Sequence, residues 1–415
     1  MGTAEAHGQQ AEIVDLETRL RRYDATRYPV QHATARFHLG VLLLDSGRIS
    51  DLAGSLHTAH EIFTGVGMRL EAAKALVMSG VAAREGGQPD RARASFLAAA
   101  TAFADLEQPA EEGAARFNLG LVLTDLGETE EALTAFAAAH ALFLGAGQVA
   151  QAGAACREQA TVWLRSNHPD RAVGLLTEAM ELAERGGDLP GLGAAANALG
   201  LARLSTDDVP GAVEAFAHAV GAYPRTLRPA DHAMAKANLA LSYHRLGNAA
   251  RARLTARQAA AIDEADPQVR AQAEGVLAAL LGGTTPDLVD VLDSEPPDRW
   301  HAIVRDEVQR WSAVGRAERL DDVDRFLEAV LARPGGGYAL AESLLGVLLE
   351  LPAPPYEELV GVLVEVTGRR PEDARDRVRA VVGSALARFP LPQWQRLAES
   401  LNTAARTAGL PGEWR

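Results

Sequence analysis

Small, apolar and turn-forming residues recur along the middle of this chain every 40 residues. A small residue stands at the same position in each of six successive copies: Gly40, Gly80, Gly120, Ala160, Gly200 and Ala240. Seven positions later, each copy has a residue that favours a turn: Gly47, Gly87, Gly127, Asn167, Asp207 and Gly247. A fixed period of this size predicts a solenoid, because each unit then buries its apolar face only against its neighbours.

A second apolar stripe follows the turn in every copy. In the third copy it consists of Ala132, Phe136 and Ala139, whose spacings of four and three residues place them on one face of a helix. The central position of this stripe holds Leu56, Phe96, Phe136, Leu176, Phe216 and Ala256. Small residues on one helix facing larger ones on the next allow close approach, so each copy is predicted to be a helix pair.

The pattern resembles the tetratricopeptide repeat family over residues 29–268. The features that match are the Leu-Gly of the first helix, the Ala-Phe-Ala stripe of the second helix and the turn between them. The resemblance implies an all-α fold: a right-handed superhelical α-solenoid of about six helix pairs. The unit has 40 residues, where the family usually has about 34, so its helices or loops must be longer. The family's first aromatic column holds other residues here: Arg36, Leu76, Arg116, Cys156, Ala196 and Lys236.

The loss of the repeat at either end predicts three parts: an N-terminal tail and capping helix (1–28), the solenoid (29–282) and a C-terminal α-helical domain (283–415). The small, polar residues 1–10 are expected to be disordered, whereas Ala11–Tyr23 is expected to form a helix that caps the first repeat. A seventh copy of the first helix is predicted at Gln268–Leu281, and a break follows it. The next helix is predicted to have Thr285 as its N-cap and Pro286 at its first helical position.

The last third of the chain is predicted to be helical without a visible repeat. Its periodicity and its proline-containing breaks give seven helices, near 286–293, 297–314, 319–333, 338–351, 355–367, 371–388 and 391–408. Four of the five tryptophans lie in this region, which favours a distinct domain. An array of degenerate repeats is the alternative.

Charge and composition narrow the classes of partner. The formal net charge of −14 argues against a general nucleic-acid-binding protein, which needs basic charge to displace counterions. No apolar run approaches the roughly 18 residues of a membrane span, so no membrane partner is expected. The N-terminus lacks a basic segment followed by an apolar run, which predicts a cytoplasmic protein. Lys74 and Lys236 are the only lysines, as is typical of a GC-rich bacterial genome.

Motifs for catalysis or cofactor binding do not occur in the sequence, so we expect no enzyme, no cofactor and no metal site. His57 and His60 are one helical turn apart and could share a metal ion. His140 occupies the position of His60 two repeats later, but it has no second ligand at helical spacing. The single cysteine, Cys156, excludes an intramolecular disulfide and is expected to be a small buried residue.

Charged clusters in the last third have two interpretations. The glutamates could supply a catalytic carboxylate pair, although solvated helix faces are expected: Glu328, Glu342, Glu350, Glu357 and Glu358. One basic cluster could bind phosphate, although interleaved acidic residues favour ordinary ion pairs: Arg369, Arg370, Arg375, Arg377 and Arg379.

In the tetratricopeptide repeat family, the first helices line a concave groove, and polar residues just before the Leu-Gly grip a peptide. The resemblance therefore implies a groove for a peptide or partner protein in this chain, lined by Phe37, His38, Lys74, Phe117, Asn118, Arg157, Asn197 and Asn238. An amide pairs with an extended backbone whatever its sequence. Lys74 and Arg157 could meet a carboxylate, and the Phe rings could form an apolar wall. The alternative role of each Asn is to brace neighbouring helices.

The favoured function is a non-catalytic scaffold or adaptor that binds a peptide segment or a partner protein in this groove. A second hypothesis is a ligand-responsive sensor, whose groove binds a small peptide or metabolite. A third is an enzyme with its site in residues 286–415, which a deep apolar pocket with convergent polar groups would support. The sequence leaves the identity of the partner and the oligomeric state open.

Overall fold

The computed structural model of this chain describes residues 3–46, 48–280, 287–333, 337–410 and 414. Within these ranges, every element of regular secondary structure is an α-helix. The chain divides into two compact units, Met1–Asp207 and Asp208–Arg415. The all-α fold predicted from the hydrophobic pattern is confirmed.

The first unit is a row of antiparallel helix pairs in which each helix packs on the one before and the one after it. Its helices are α1 (Thr3–Arg22), α2 (Pro29–Asp45), α3 (Ile49–Gly65), α4 (Arg69–Glu85), α5 (Pro89–Asp105), α6 (Pro109–Leu126), α7 (Thr129–Gly145), α8 (Val149–Arg165), α9 (Pro169–Gly186) and α10 (Leu189–Ser205). From α2 onward, the first helix of each repeat begins 40 residues after the start of the first helix in the preceding repeat, which confirms the predicted register.

The turns of the first unit follow a period half as long as the repeat. Helix α4 has 17 residues and is joined to α5 by residues 86–88, so one helix and one turn together span 20 residues. A residue with positive φ recurs at this interval: Gly67, Gly87, Glu107, Gly127, Gly147, Asn167, Gly187 and Asp207. Gly47, the first predicted turn residue, lies outside the described residues. Because the turns are so short, the extra length of the unit lies in its helices.

The phenylalanines of the second helices fill the core of the first unit. Phe96 and Phe136 are fully buried. A Cβ added to Gly80 would lie 2.8 Å from the ring of Phe96, and one added to Gly120 would lie 2.7 Å from the ring of Phe136. Glycine occupies the small column at these two crossings because the ring of the partner helix leaves no room for a methyl group.

Helix α1 closes the N-terminal end of the first unit. Its residues Ile13 and Leu16 are buried in a cluster with Leu39 and Leu43 of α2. The predicted capping helix is therefore present, but it begins at Thr3, and the expectation of disorder across residues 1–10 is wrong from there on. Alanine, glutamate and glutamine in this stretch have good helix propensity and extend the helix towards the N-terminus.

The second unit begins with repeat helices and continues into the last third of the chain. Its helices are α11 (Val209–Ala222), α12 (Pro229–Arg245), α13 (Ala249–Ala260), α14 (Pro267–Ala279), α15 (Asp287–Asp293), α16 (Pro297–Ala313), α17 (Arg316–Leu331), α18 (Tyr338–Glu350), α19 (Ala353–Gly368), α20 (Glu372–Leu386) and α21 (Leu391–Thr407). The seven helices predicted beyond the repeats are confirmed.

Helices α15 to α21 share one apolar core, which includes Phe326, Leu344 and Leu363. Leu254 of the repeat helix α13 belongs to the same core. The same helix also forms ion pairs with the last third, since Arg253 and Arg257 both pair with the buried carboxylate of Asp287. The predicted domain boundary at 282/283, with its N-cap Thr285 and Pro286, lies outside the described residues and stays a prediction.

Candidate functional site

Seven of the eight predicted groove residues lie in the first unit, on the first helices of successive repeats. His38 on α2 and Lys74 on α4 are exposed. Phe37 and Phe117 are half-buried, and the ring of Phe117 packs edge-on against Phe136 at a centroid distance of 5.6 Å. The two phenylalanines therefore contribute to the core as well as to the surface.

The polar members on α6 and α8 are half-buried and have partners on their own helix. The amide nitrogen of Asn118 donates to the carbonyl of Ala114 at 2.9 Å. A guanidinium nitrogen of Arg157 lies 3.2 Å from a carboxylate oxygen of Glu158, and its side chain is 27% exposed. These contacts orient both side chains while leaving them within reach of solvent.

The last two predicted residues are buried. Asn197 on α10 has 9% of its surface exposed, and Asn238 on α12 has 8%. The side-chain oxygen of Asn238 accepts a hydrogen bond from Gln272 of α14 at 3.0 Å, so this asparagine braces two helices of the second unit. Asn238 belongs to the second unit, whereas the other seven belong to the first.

A group of three potential metal ligands lies elsewhere in the first unit. The ligand atoms of His140 on α7, Cys156 on α8 and Glu178 on α9 all lie within 4.8 Å of one another. Burial, assisted by the charge of Glu178, raises the pKa of the Cys156 thiol to about 12, so the metal-free thiol keeps its proton at neutral pH. The sequence analysis missed this group because its members lie on three different helices.

The two histidines that could have shared a metal ion, His57 and His60, have other neighbours in the structure. His57 is exposed and lies 3.4 Å from Glu61, whereas a ring nitrogen of His60 lies 3.1 Å from the carbonyl of Ala72. The two imidazoles therefore serve separate contacts with protein groups.

Charged groups of the last third are largely paired with each other. Three of the glutamates considered as catalytic have basic partners: Glu342 with Arg388, Glu350 with His301 and Arg305, and Glu358 with Arg319. The basic cluster also forms ion pairs, among them Arg377 with Asp373 and Arg370 with Asp324. These pairings favour the interpretation of both clusters as ordinary helix surfaces.

A cleft that the sequence did not indicate lies between α19 and α21 of the second unit. It has a volume of about 980 Å³ and an acidic lining that includes Glu357, Glu365 and Glu399. The guanidinium of Arg396, also in the lining, lies 4.5 Å from the centroid of the Tyr356 ring. The cleft is large enough for a small ligand or a peptide side chain.

None of the helices in the described ranges is both long and apolar enough to cross a bilayer.

Comparison with solved structures finds several helical proteins at low identity. The BtubC protein of P. vanneervenii is 16% identical, with 57% of this chain and 92% of that chain covered and a TM-score of 0.45. Pseudomonas aeruginosa PilF is 14% identical, with 60% and 97% covered and a TM-score of 0.44. A Rap protein in complex with competence and sporulation factor is 13% identical, with 95% and 99% covered and a TM-score of 0.40.

No curated protein sequence matches this chain. A family model described as tetratricopeptide repeat matches residues 77–149 and 198–268. Both stretches lie within the region of the 40-residue period, and their helices begin where that period places them. The repeats in these two stretches are therefore tetratricopeptide repeats with a unit of 40 residues.

Proposed function

We propose that this protein is a non-catalytic scaffold or adaptor that binds an extended peptide segment of a partner along the first helices of the first unit. Tetratricopeptide repeats support a protein-interaction scaffold in general. The finer proposal rests on one observation: polar side chains at the groove positions of α2, α4, α6 and α8 keep at least part of their surface exposed, although each of them adjoins at least one buried residue in the sequence.

The chemistry of these positions suits an extended acidic or carboxylate-bearing segment. Lys74 is exposed and makes no ion pair with any described residue, so its ammonium is available to a carboxylate. Arg157 can exchange its weak contact with Glu158 for a bidentate pair with the same kind of group. Asn118 can hydrogen-bond a peptide backbone independently of the ligand's sequence.

The test compares Lys74→Ala and Asn118→Ala with the parent in binding to arrayed peptides, each with a free or an amidated C-terminus. Thr134→Ala is the matched control, because Thr134 also hydrogen-bonds a carbonyl four residues earlier but lies exposed on the second helix α7. Losing one hydrogen bond to a partly buried partner group should weaken binding by about 1–3 kcal/mol. We expect both groove variants to lose binding and the control to retain it.

Thermal unfolding of the same variants separates binding from folding. Groove variants that unfold at the parent's temperature and still bind every captured peptide would show that the binding surface lies elsewhere. Variants that unfold much earlier would show that these residues brace the helices. Preference for free over amidated C-termini, lost in Lys74→Ala, would assign the lysine to the terminal carboxylate.

A further inference from the structure

We propose that His140, Cys156 and Glu178 form a binding site for Zn²⁺ or a similar transition-metal ion. The three side chains come from α7, α8 and α9, and their ligand atoms are all within 4.8 Å of one another. His140 Nε2 and Glu178 Oε1 are 3.4 Å apart. Bond lengths of roughly 2.0–2.3 Å in a tetrahedral zinc site place neighbouring ligand atoms about 3.3–3.7 Å apart. The His140–Glu178 pair already has this spacing, and the distances to the Cys156 sulfur, which are within 4.8 Å, would have to shorten by no more than about 1.3 Å.

The types of ligand select the class of metal. A thiolate and an imidazole are borderline-to-soft donors, which favour Zn²⁺ over the hard cations Mg²⁺ and Ca²⁺. Three protein ligands leave the fourth position of a tetrahedron open. The side chain of Glu178 is 46% exposed, so this position is accessible to water.

A second observation at the site points to a missing partner. The Nε2 atom of His140 is buried and makes no hydrogen bond to any of the described residues. The Glu178 oxygen is close to it, but not in hydrogen-bonding geometry. A buried nitrogen without a partner costs free energy, and a metal ion would provide that partner.

The equivalent histidine two repeats earlier, His60, lies in a copy that lacks the other two potential metal ligands. His60 lies 3.1 Å from the carbonyl of Ala72 through a ring nitrogen. The positions that correspond to Cys156 and Glu178 there hold Leu76 and Ala98. The two copies have the same helix register, so they differ at this place in their residues: the later copy has three potential metal ligands and the earlier one has a single histidine.

The register also explains why Cys156 and Glu178 face each other. In the second unit, the same two columns hold Lys236 and Gln258, and their side chains form a hydrogen bond of 2.7 Å. A pair 22 residues apart therefore meets across the helices of one repeat in both units. His140 enters from the second helix of the preceding repeat, so a bound ion would join three successive helices.

The experiment titrates the full-length chain with Co²⁺, a spectroscopic substitute for Zn²⁺, and then adds Zn²⁺. Because Cys156 is the only cysteine, sulfur-to-cobalt charge-transfer absorption reports this site alone. We expect that absorption at one ion per chain, its loss on addition of Zn²⁺, and a rise in the thermal midpoint with Zn²⁺, since the ion binds the folded state.

Three variants test the ligands, and one serves as control. Cys156→Ala should fold, because alanine occupies this column at Ala196, and it should lose the charge-transfer absorption and the Zn²⁺-dependent rise in midpoint. His140→Ala and Glu178→Gln should weaken Zn²⁺ binding by at least roughly tenfold, the lower end of what even outer-shell changes cause. The control variant His60→Ala should keep the parent's charge-transfer absorption and its Zn²⁺-dependent rise in midpoint. Absence of cobalt–sulfur absorption in the parent, or a Zn²⁺ response that survives in Cys156→Ala, would overturn the proposal.

Discussion

At the scale of single residues, the repeat matches the sizes of facing side chains. Gly80 and Gly120 lie against Phe96 and Phe136. In the next copy the small position is Ala160, and the large position is the smaller Leu176; both are fully buried. In these three copies the facing small and large residues therefore match in size, as expected for helices that interlock at the packing density of an organic crystal.

Gly120→Ala tests this size match. Alanine favours the helix by about 1 kcal/mol, whereas overpacking a fitted core costs about 1–3 kcal/mol. We therefore expect a net loss of stability, measured by chemical denaturation. Adding Phe136→Leu recreates the Ala160 and Leu176 combination and should recover part of that loss. If the double variant shows only the sum of the two single effects, the two columns do not interlock as described.

His232 gives the second unit a pH dependence. Its Nδ1 lies 2.7 Å from the carbonyl of Tyr223. Burial, reinforced by the positive charges of Lys236 and Arg225, lowers the pKa of His232, with Asp306 opposing that effect. The unfolded chain takes up a proton near the ordinary His pKa of about 6.5, while the folded chain does so only at lower pH. The contribution of His232 to stability is therefore fully present above about pH 6.5 and is lost as the pH falls from there through the lowered pKa of the folded state.

The measurement follows the thermal midpoint between pH 8 and pH 5, roughly 1.5 pH units on either side of the ordinary His pKa. His232→Gln keeps a polar group near Tyr223 but removes the titrating ring. It should show a smaller drop in midpoint on acidification than the parent does. An unchanged drop would assign the acid sensitivity to other groups.

At the scale of elements, the turn residues set where each helix ends. Most of these turns have a glycine in the left-handed backbone conformation, but one turn has Glu107 there, with a φ of 54°. Asparagine and aspartate tolerate this conformation, as at Asn167 and Asp207. A glutamate there is strained, because its Cβ approaches the neighbouring carbonyl oxygen.

Glu107→Gly should therefore raise the free energy of unfolding. Relief of the left-handed conformation is worth about 1–2 kcal/mol, and the added freedom of the unfolded chain offsets up to about 1 kcal/mol. Gly127→Ala is the opposite control and should lower stability by about 1 kcal/mol. Denaturant titration of both variants gives the result, and a destabilised Glu107→Gly would show that the turn depends on the glutamate side chain.

At the scale of the whole molecule, the junction between repeats and the last third is bonded more closely than the glycine-rich break suggests. Lys236 of α12, whose side chain is 6% exposed, lies 2.7 Å from Asp306 of α16. Asp287 of α15 accepts from Arg253 and Arg257, and Leu254 packs into the core of the last third. The helices before residue 282 thus have partners after it.

A chain that ends at residue 282 tests the predicted domain boundary. We expect it to keep its helical circular dichroism but to unfold at a lower temperature than the parent, since Lys236 loses its carboxylate and Leu254 becomes exposed. A shortened chain that unfolds as the parent does would establish two independent domains divided near 282.

The sequence by itself determined the repeat and its helices. Phe136 lies in an apolar column that recurs every 40 residues, so its burial followed from the period, and the helix starts followed from the same register. The helices of the last third followed from apolar spacing and proline breaks. These features depend on neighbours within a few turns of helix, and such information is present in a local stretch of chain.

Only the tertiary structure decided which distant side chains meet. His140, Cys156 and Glu178 are unremarkable on their own helices and form a group because three successive helices pack in one register. The bracing of Asn238 by Gln272, and the cleft between α19 and α21, likewise depend on contacts between helices. Periodicity specifies the buried face of each helix, whereas the pairing of side chains across helices depends on how those faces are packed together.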